Sequence, residues 1–506
     1  MLETVFLGKQ DVEKYQMLTI IKSLPKAEIN LSSIGNGLGF TYQKTYNIFQ
    51  ALLDDIFDLD PGADQKSSKI ESINFDRISI DNYRLFLFKN SIVFQAFNYG
   101  FTNANPTFEN FSNSHFTSKS TLNRRMTNFR KLLKNFGLKI SNATLELKGD
   151  EKNIRCLAYF VYWYTYHGLE WPFKLIQQDT IQKIVERDDN PVYNPAAKYQ
   201  LEILLGISRI RLIKHYYLNN MDGYDEVFQG KILGKELITR EDYSLIPMDK
   251  LDNENKFINT FKDFFFIPTE FIEPDAPNLS NLVDPEFNEL TDKFLKFMKR
   301  KYKDNFHIDL NSPEADILRS DVVSDICFYY IMGHEAHIKL GSYTRDPSEY
   351  ETVSSVFDSI YEFFSNVDEE KFGPIRNSTE SIAHDLYKGM INQISGVRDE
   401  DILHVKLLTD AGNPVKGYLL HTLESMEYIK VMPSSAYKNV DILMTTLDVF
   451  PDYEGRDKYP DDLIVIPWNL NSLRTDYIYL LLRLYNIYVA KLKHNKEKDQ
   501  DRHLEI

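Results

Sequence analysis

Before about residue 400, apolar positions recur at intervals of three and four, the spacing of helices that bury one face. The clearest run is Leu122, Met126, Phe129, Leu132, Leu133 and Phe136, with Ser118 or Ser120 able to cap its start and Gly137 to close it. LKISNATLEL follows as strand, tight turn and strand. Upstream, INLSSIGNGLGFTYQKTYNIFQALLDDIF predicts a helix, a glycine-containing turn and a second helix from Thr41. In that second helix Ile48, Leu52 and Ile56 turn inward, and Tyr42, Gln43, Lys44, Tyr46 and Asn47 turn outward. From about residue 402 the period changes. HVKLLTD, YIKVMP, DILMTTLD and DLIVIPW are strand-length apolar runs, and PVKGYLLHTLESM between the first two has helical spacing. Leu470–Lys493 predicts a closing amphipathic helix ahead of a mixed-charge tail expected to fray.

These patterns predict a mostly α, multidomain chain in five sections. Residues 1–65 form a first helix-turn-helix unit ending in the acidic loop DDIFDLDPGADQKSS, and residues 66–170 a winged helix-turn-helix. Residues 171–285 and 286–398 are two helical bundles, parted by the proline-rich, acidic IPTEFIEPDAPNLSNLVDPEF. Residues 399–506 form an α/β domain with a parallel sheet, since its strands alternate with helices.

Composition narrows the class. The 506 residues are 43% hydrophobic and 26% charged, which excludes an extended disordered chain. Gly and Pro together make up about 8%, below the usual ~12%, in keeping with much helix. Two cysteines exclude a disulfide scaffold and a cysteine-based metal site, and they fit a reducing compartment. The start MLETVFLGKQDVEKYQ lacks the pattern of a signal peptide, and no apolar run reaches the length of a membrane span. A cytoplasmic protein with no membrane partner is expected.

The net charge of −15 argues against nucleic acid for the chain as a whole. Locally the sign reverses. From Ser118 to Lys139 there are seven basic residues and no acidic one. A helix, a polar turn, a second helix basic on its outer face and then a β-hairpin is the order of a winged helix-turn-helix. The start of the second helix enters the major groove in that geometry, which places Lys119, Ser120, Asn123 and Arg124 towards bases. Arg125, Arg130, Lys131 and Lys134 fall along the flanks, towards phosphates. The alternative is a solvated amphipathic helix with an idle basic face.

The earlier helix pair repeats this logic with Tyr42, Gln43 and Lys44 as candidate contacts, but Lys44 is nearly alone in charge, and a structural helical hairpin explains the pattern equally well. Its Gly35–Gly39 run has G-x-G-x-G spacing after a helix, so it is no dinucleotide fingerprint. His334, Glu335 and His337 place the second histidine at i+3, where a zincin needs i+4, with no third ligand apparent. No cofactor and no enzymatic activity are expected. His215 and His384 are lone histidines near helix ends, explained equally well by a hydrogen bond in a packed helix.

STLNRRMTNFRKLLKNFGLKI, the Gly149-Asp150-Glu151 step into an aromatic helix, and Glu170-Trp171-Pro172-Phe173 resemble the Mga/AtxA family of virulence transcription regulators of Gram-positive bacteria. The match is specific over about residues 105–175. The resemblance implies two N-terminal winged-helix units, two regulation domains of the sugar phosphotransferase system and a C-terminal domain like the EIIB component of sugar transporters. The function it implies is an activator that binds promoter DNA as a homodimer built through the C-terminal domain. Phosphocarrier proteins would tune it through histidine phosphorylation. His215, after Arg209, Arg211 and Lys214, matches the first regulation domain's position best, and His334 and His384 are candidates in the second. One departure stands out: where EIIB domains carry a phosphorylated cysteine after the first strand, this chain has Thr409-Asp410-Ala411-Gly412-Asn413. The domain should therefore be a carrier without its chemistry. An RNA-binding antiterminator with the same regulation domains is the second reading, although such proteins begin with a small β-rich module. A metallohydrolase at His334/His337 is the third.

Overall fold

The computed structural model describes residues 2–24, 29–59, 75–188, 195–231, 235–243, 246–266, 282–303, 306, 308–333, 355–390, 402–408, 415–426, 428–433, 435–445, 458–468 and 474–504. The chain divides into two compact units. The first comprises Met1–Phe297, Asp309–Asp346 and Tyr361–Leu386, and the second Met298–Ile308, Pro347–Ile360 and Tyr387–Ile506.

The first unit opens with α1 (Glu3–Phe6), α2 (Lys9–Ser23), α3 (Leu31–Leu38) and α4 (Tyr42–Leu59). The side chain of Asn30 caps α3 by accepting from the Ser33 N–H. Gly39, at φ 66°, ends α3 in the left-handed conformation that turns the chain into α4. Ile48, Leu52 and Ile56 are buried with Met17, Leu18 and Ile21 of α2, as the periodicity requires. The stretch read as the start of an acidic loop is different: Asp54 to Leu59 continue α4, since Leu53 and Ile56 keep the helical face in the core.

Next come α5 (Ile80–Asn90), α6 (Ile92–Thr102), α7 (Phe108–Ser114), α8 (Lys119–Arg125) and α9 (Thr127–Asn135). They are followed by the antiparallel hairpin β1 (Lys139–Ile140) and β2 (Leu147–Lys148), and then by α10 (Glu151–Tyr166). The basic helix, expected as one piece, is two segments joined at Met126. The Thr127 hydroxyl donates to the Arg124 carbonyl there, while Met126 N–H to Leu122 and Arg130 N–H to Met126 carry the ladder across. Helix α1 belongs to this core and not to the first helix-turn-helix. Its Phe6 ring lies 5.1 Å from Phe129 and also meets Phe88, Phe94 and Phe97. Helix α10 is buried along nearly its whole length and packs against α5.

It also packs on the other side against α12 (Pro195–Ile213), which α11 (Gln178–Val185) precedes. The chain continues through α13 (Asp222–Phe228), α14 (Met248–Phe261) with a π-helical extension Lys262–Phe266, and α15 (Pro285–Tyr302). Helices α16 (Pro313–Met332), α17 (Ser355–Ser365), α18 (Glu369–Asn377) and α19 (Thr379–Met390) complete the helical part.

The second unit holds a parallel sheet of β3 (Leu403–Leu408), β4 (Ile429–Met432), β5 (Ile442–Thr445) and β6 (Ile464–Pro467) in the order β4-β3-β5-β6. All four strands fall where the apolar runs predict them. Val405 pairs with Val431 on one side and Ile442 on the other. Alternation sends Leu403, Val405, Ile442, Met444 and Ile466 to one core, shared with α20 (Val415–Glu424) and α21 (Arg474–Leu504). Leu443 faces the other way, with Val440, Tyr459 and Leu463. Helix α21 differs from expectation at its end: it runs on to Leu504 through the tail expected to fray, whose Lys, Glu, Gln and Arg residues favour helix. Lys491 fastens it to the sheet by donating to the Ile402 carbonyl and pairing with Asp441 at 2.9 Å. The Thr409–Asn413 loop lies outside the described residues. Among the described residues, no helix is long and apolar enough to cross a membrane.

Candidate nucleic-acid interface

Ser118 caps the basic helix by accepting from the Thr121 N–H at 3.2 Å, and the Ser120 hydroxyl lies 3.0 Å from that of Ser118. Leu122, Met126, Phe129, Leu132, Leu133 and Phe136 are buried, so the opposite face is fixed towards solvent. That face carries Lys119, Arg124, Arg125, Lys131 and Lys134, all exposed and none with an ion-pair partner among the described residues. Five uncompensated cations on one short helical surface are an electrostatic footprint for a polyanion.

Arg130 behaves differently from the other cations. Its guanidinium donates to the Asn123 carbonyl (2.9 Å), to Asn123 Oδ1 (2.7 Å) and to Asn142 Oδ1 in the hairpin turn (3.0 Å). It therefore ties α8 to the wing, and it occupies the Asn123 oxygen that the sequence placed towards bases. The wing is held from behind as well. A Cβ at Gly100 of α6 would overlap the Leu145 carbonyl, so only glycine lets the turn approach so closely. Lys214 pairs with Glu146 of the hairpin at 3.0 Å and donates to the Gly100 carbonyl at 3.1 Å. Burial, only partly offset by Glu146, holds the Lys214 ammonium below the usual lysine range.

Behind the wing lies a buried ion network. Arg155 and Glu254, both 0% exposed, are paired, and Arg155 Nε also reaches Glu151 at 2.9 Å. Arg211 grips Glu151 with two bonds of 2.8 and 2.7 Å. Glu254 accepts from the Leu218 N–H, and Arg155 donates to the Tyr216 carbonyl. Burial alone would raise the Glu151 pKa, but the Arg211 hydrogen bonds and the Arg155 charge outweigh it and hold the carboxyl below its ordinary value.

In the first helix-turn-helix, Tyr42, Gln43, Tyr46 and Asn47 are exposed as expected. Lys44 is not free: it pairs with Glu13 at 2.8 Å and lies over the Phe40 ring. The outer face of α4 near its start is thus polar and aromatic, without a spare cation.

His215 stands exposed at the end of α12 with φ 60°, its Nδ1 3.0 Å from the Tyr217 hydroxyl. The cations preceding it in sequence are committed elsewhere. Arg209 lies over Tyr243, Arg211 holds Glu151 and Lys214 holds Glu146, so each of the three charges has a partner other than the imidazole. His384 is half-buried on α19. His334 and His337 lie outside the described residues. No group of three or more His, Cys, Asp or Glu side chains placed to hold a metal occurs among the described residues.

Two features escaped the sequence reading. The wing ties through Arg130, Lys214 and Gly100 join residues far apart in the chain and leave no local pattern. The docking of α1 had one faint signal, an aromatic residue in the short apolar stretch before Gly8.

A recognition helix in two segments with exposed cations, followed by a braced hairpin, defines a winged helix-turn-helix. Residues 76–162 match the family model described as the Mga helix-turn-helix domain, so this segment is an Mga-family domain of that kind. The chain is also similar to a trans-acting regulator of Streptococcus pneumoniae serotype 4, at 22% identity over 280 residues. That match covers 51% of this chain and 55% of the relative, so the chain spans about half the length of the curated relative it matches. The protein is transcription-regulator-like, with a helix-turn-helix DNA-binding domain.

Proposed function

We propose that this protein is a cytoplasmic, homodimeric transcription activator that binds promoter DNA, with no enzymatic activity, and that histidine phosphorylation linked to sugar uptake tunes it. The observation that carries the DNA reading is the set of exposed, unpaired cations on α8 and α9 beside the braced wing. Lys119, Ser120 and Arg124 approach bases, Arg125, Lys131 and Lys134 engage phosphates, and Arg130 with Asn123 sets the angle of the wing. Tyr42 and Gln43 of the first helix-turn-helix make a second, uncharged contact, with Lys44 holding that helix in place.

The helices from α11 to α19 would form the two regulation domains, with His215, His334 and His384 as phosphorylation sites for phosphocarrier proteins. For His215, exposure at a helix end supports this role. The C-terminal unit would be an EIIB-like domain kept for dimerisation. Tyr479, Leu482 and Tyr485 support that role: they recur every three residues on α21 as exposed apolar side chains. A chain lacking residues 400–506 should sediment as a monomer, and a persisting dimer would place the contact elsewhere.

The experiment that tests the whole reading is a genome-wide footprint of the bound protein with and without a preferred sugar. Discrete promoter sites whose occupancy or output changes with the sugar are expected. Absence of any enriched site would refute DNA regulation, and sites indifferent to sugar would refute the phosphorylation link.

A further inference from the structure

Phe116 occupies the turn between α7 and the recognition helix, two residues ahead of the capping Ser118. The residue is 97% exposed, the most exposed of the large apolar residues among the described residues. Its backbone is also in the left-handed region, at φ 49°. The reason is local: α7 ends with the Thr117 N–H donating to the Ser112 carbonyl, a closure that puts the intervening residue at the position where glycine is preferred. The neighbouring His115 is tied down, its ring stacked 4.1 Å from Phe111 and its Nδ1 near the Ser114 hydroxyl and the Phe111 carbonyl. Phe116 has no ring partner among the described residues. The fold thus carries an aromatic residue where glycine suits the backbone better, and gains no packing from it.

We infer that Phe116 is a specificity-determining DNA contact that packs against the C5-methyl of a thymine in the major groove. This rests on the DNA-binding reading above. The unpaired Lys119, Arg124 and Arg125 that follow Phe116 would draw this surface onto the duplex, and the start of a recognition helix is the part that meets base edges in such domains. The thymine methyl is the one apolar group the major groove displays. A cation at this position would read charge, whereas a phenyl ring carried on the turn reads an apolar group.

The test uses the full chain and the duplex that the wild-type protein enriches from a random library, prepared once with thymine and once with uracil. Phe116→Gly should fold with an unfolding temperature at or above wild type, because glycine relieves the positive φ and no buried surface is lost. It should bind the thymine duplex about tenfold more weakly. Uracil should weaken wild type by a similar factor and leave Phe116→Gly unaffected. Equal affinity of the variant and wild type, or a uracil penalty that persists in the variant, overturns the inference. Normal DNA binding with altered self-association would assign the ring to a protein surface instead, and also overturns it. If wild type enriches no duplex at all, the DNA-binding reading itself falls, a result distinct from any variant effect.

Discussion

Two sets of basic residues in the first unit have opposite fates. The side chains of Arg155, Arg211 and Lys214 are buried and engaged with Glu254, Glu151 and Glu146. Lys119, Arg124, Arg125, Lys131 and Lys134 are exposed, with no acidic partner among the described residues. A buried cation has lost its hydration and is tolerated only with a counterion in place, so the first set belongs to the fold. An exposed cation keeps its water and needs no partner, so the second set adds little to stability and remains available to a polyanion. In a chain of net charge −15, the acids that could have neutralised α8 and α9 lie elsewhere. The first helix-turn-helix falls between these cases: Lys44 is half-exposed, yet paired with Glu13.

The largest consequence concerns the buried set. Arg155→Ala leaves Glu254 without its charge partner and should cost about 3–5 kcal/mol in urea unfolding, enough to compromise the folded unit. A loss under about 1 kcal/mol would show that the network is dispensable and would erase the distinction drawn here.

The smallest effect belongs to the intermediate case. Lys44→Ala removes one partly exposed pair, so stability should fall by no more than about 1 kcal/mol. Because Lys44 is already neutralised, the salt dependence of DNA binding should not change. A reduced salt slope in a titration across ionic strengths would show instead that the first helix-turn-helix also grips phosphate.

How much of this was legible before the structure follows from the range of each interaction. The recognition helix, its cap, the hairpin and the four C-terminal strands depend on periodicity and near neighbours, and all stand where the pattern puts them. The break at Met126 was missed because helical spacing is indifferent to it; the Thr127 hydroxyl donates to the Arg124 carbonyl there. The partners of Arg130, Arg211 and Lys214 were not legible for a different reason. A basic residue in sequence shows its charge but not its counterion, and Asn142, Glu151 and Glu146 are brought to these residues only by the tertiary fold. The same limit explains why Arg209, Arg211 and Lys214 looked like a cradle for His215: their nearness in sequence does not show Tyr243, Glu151 and Glu146, which engage them in the fold. Phe116 escaped notice because an aromatic residue in a short polar turn usually packs, and only its exposure and φ mark it out.

The central claim is that the unpaired cations of α8 and α9 are there for phosphate. The most direct measurement is the salt dependence of affinity for an enriched duplex, comparing wild type with Arg124→Ala/Arg125→Ala. Each lost phosphate contact lowers the slope of log affinity against log salt by about 0.9, so the double variant, which loses the phosphate contact of Arg125 and the base contact of Arg124, should bind far more weakly at moderate salt and with a slope reduced by about 1. Its circular dichroism and unfolding midpoint should match wild type, since neither side chain is paired or buried. Unchanged affinity and slope in a correctly folded variant would contradict the account.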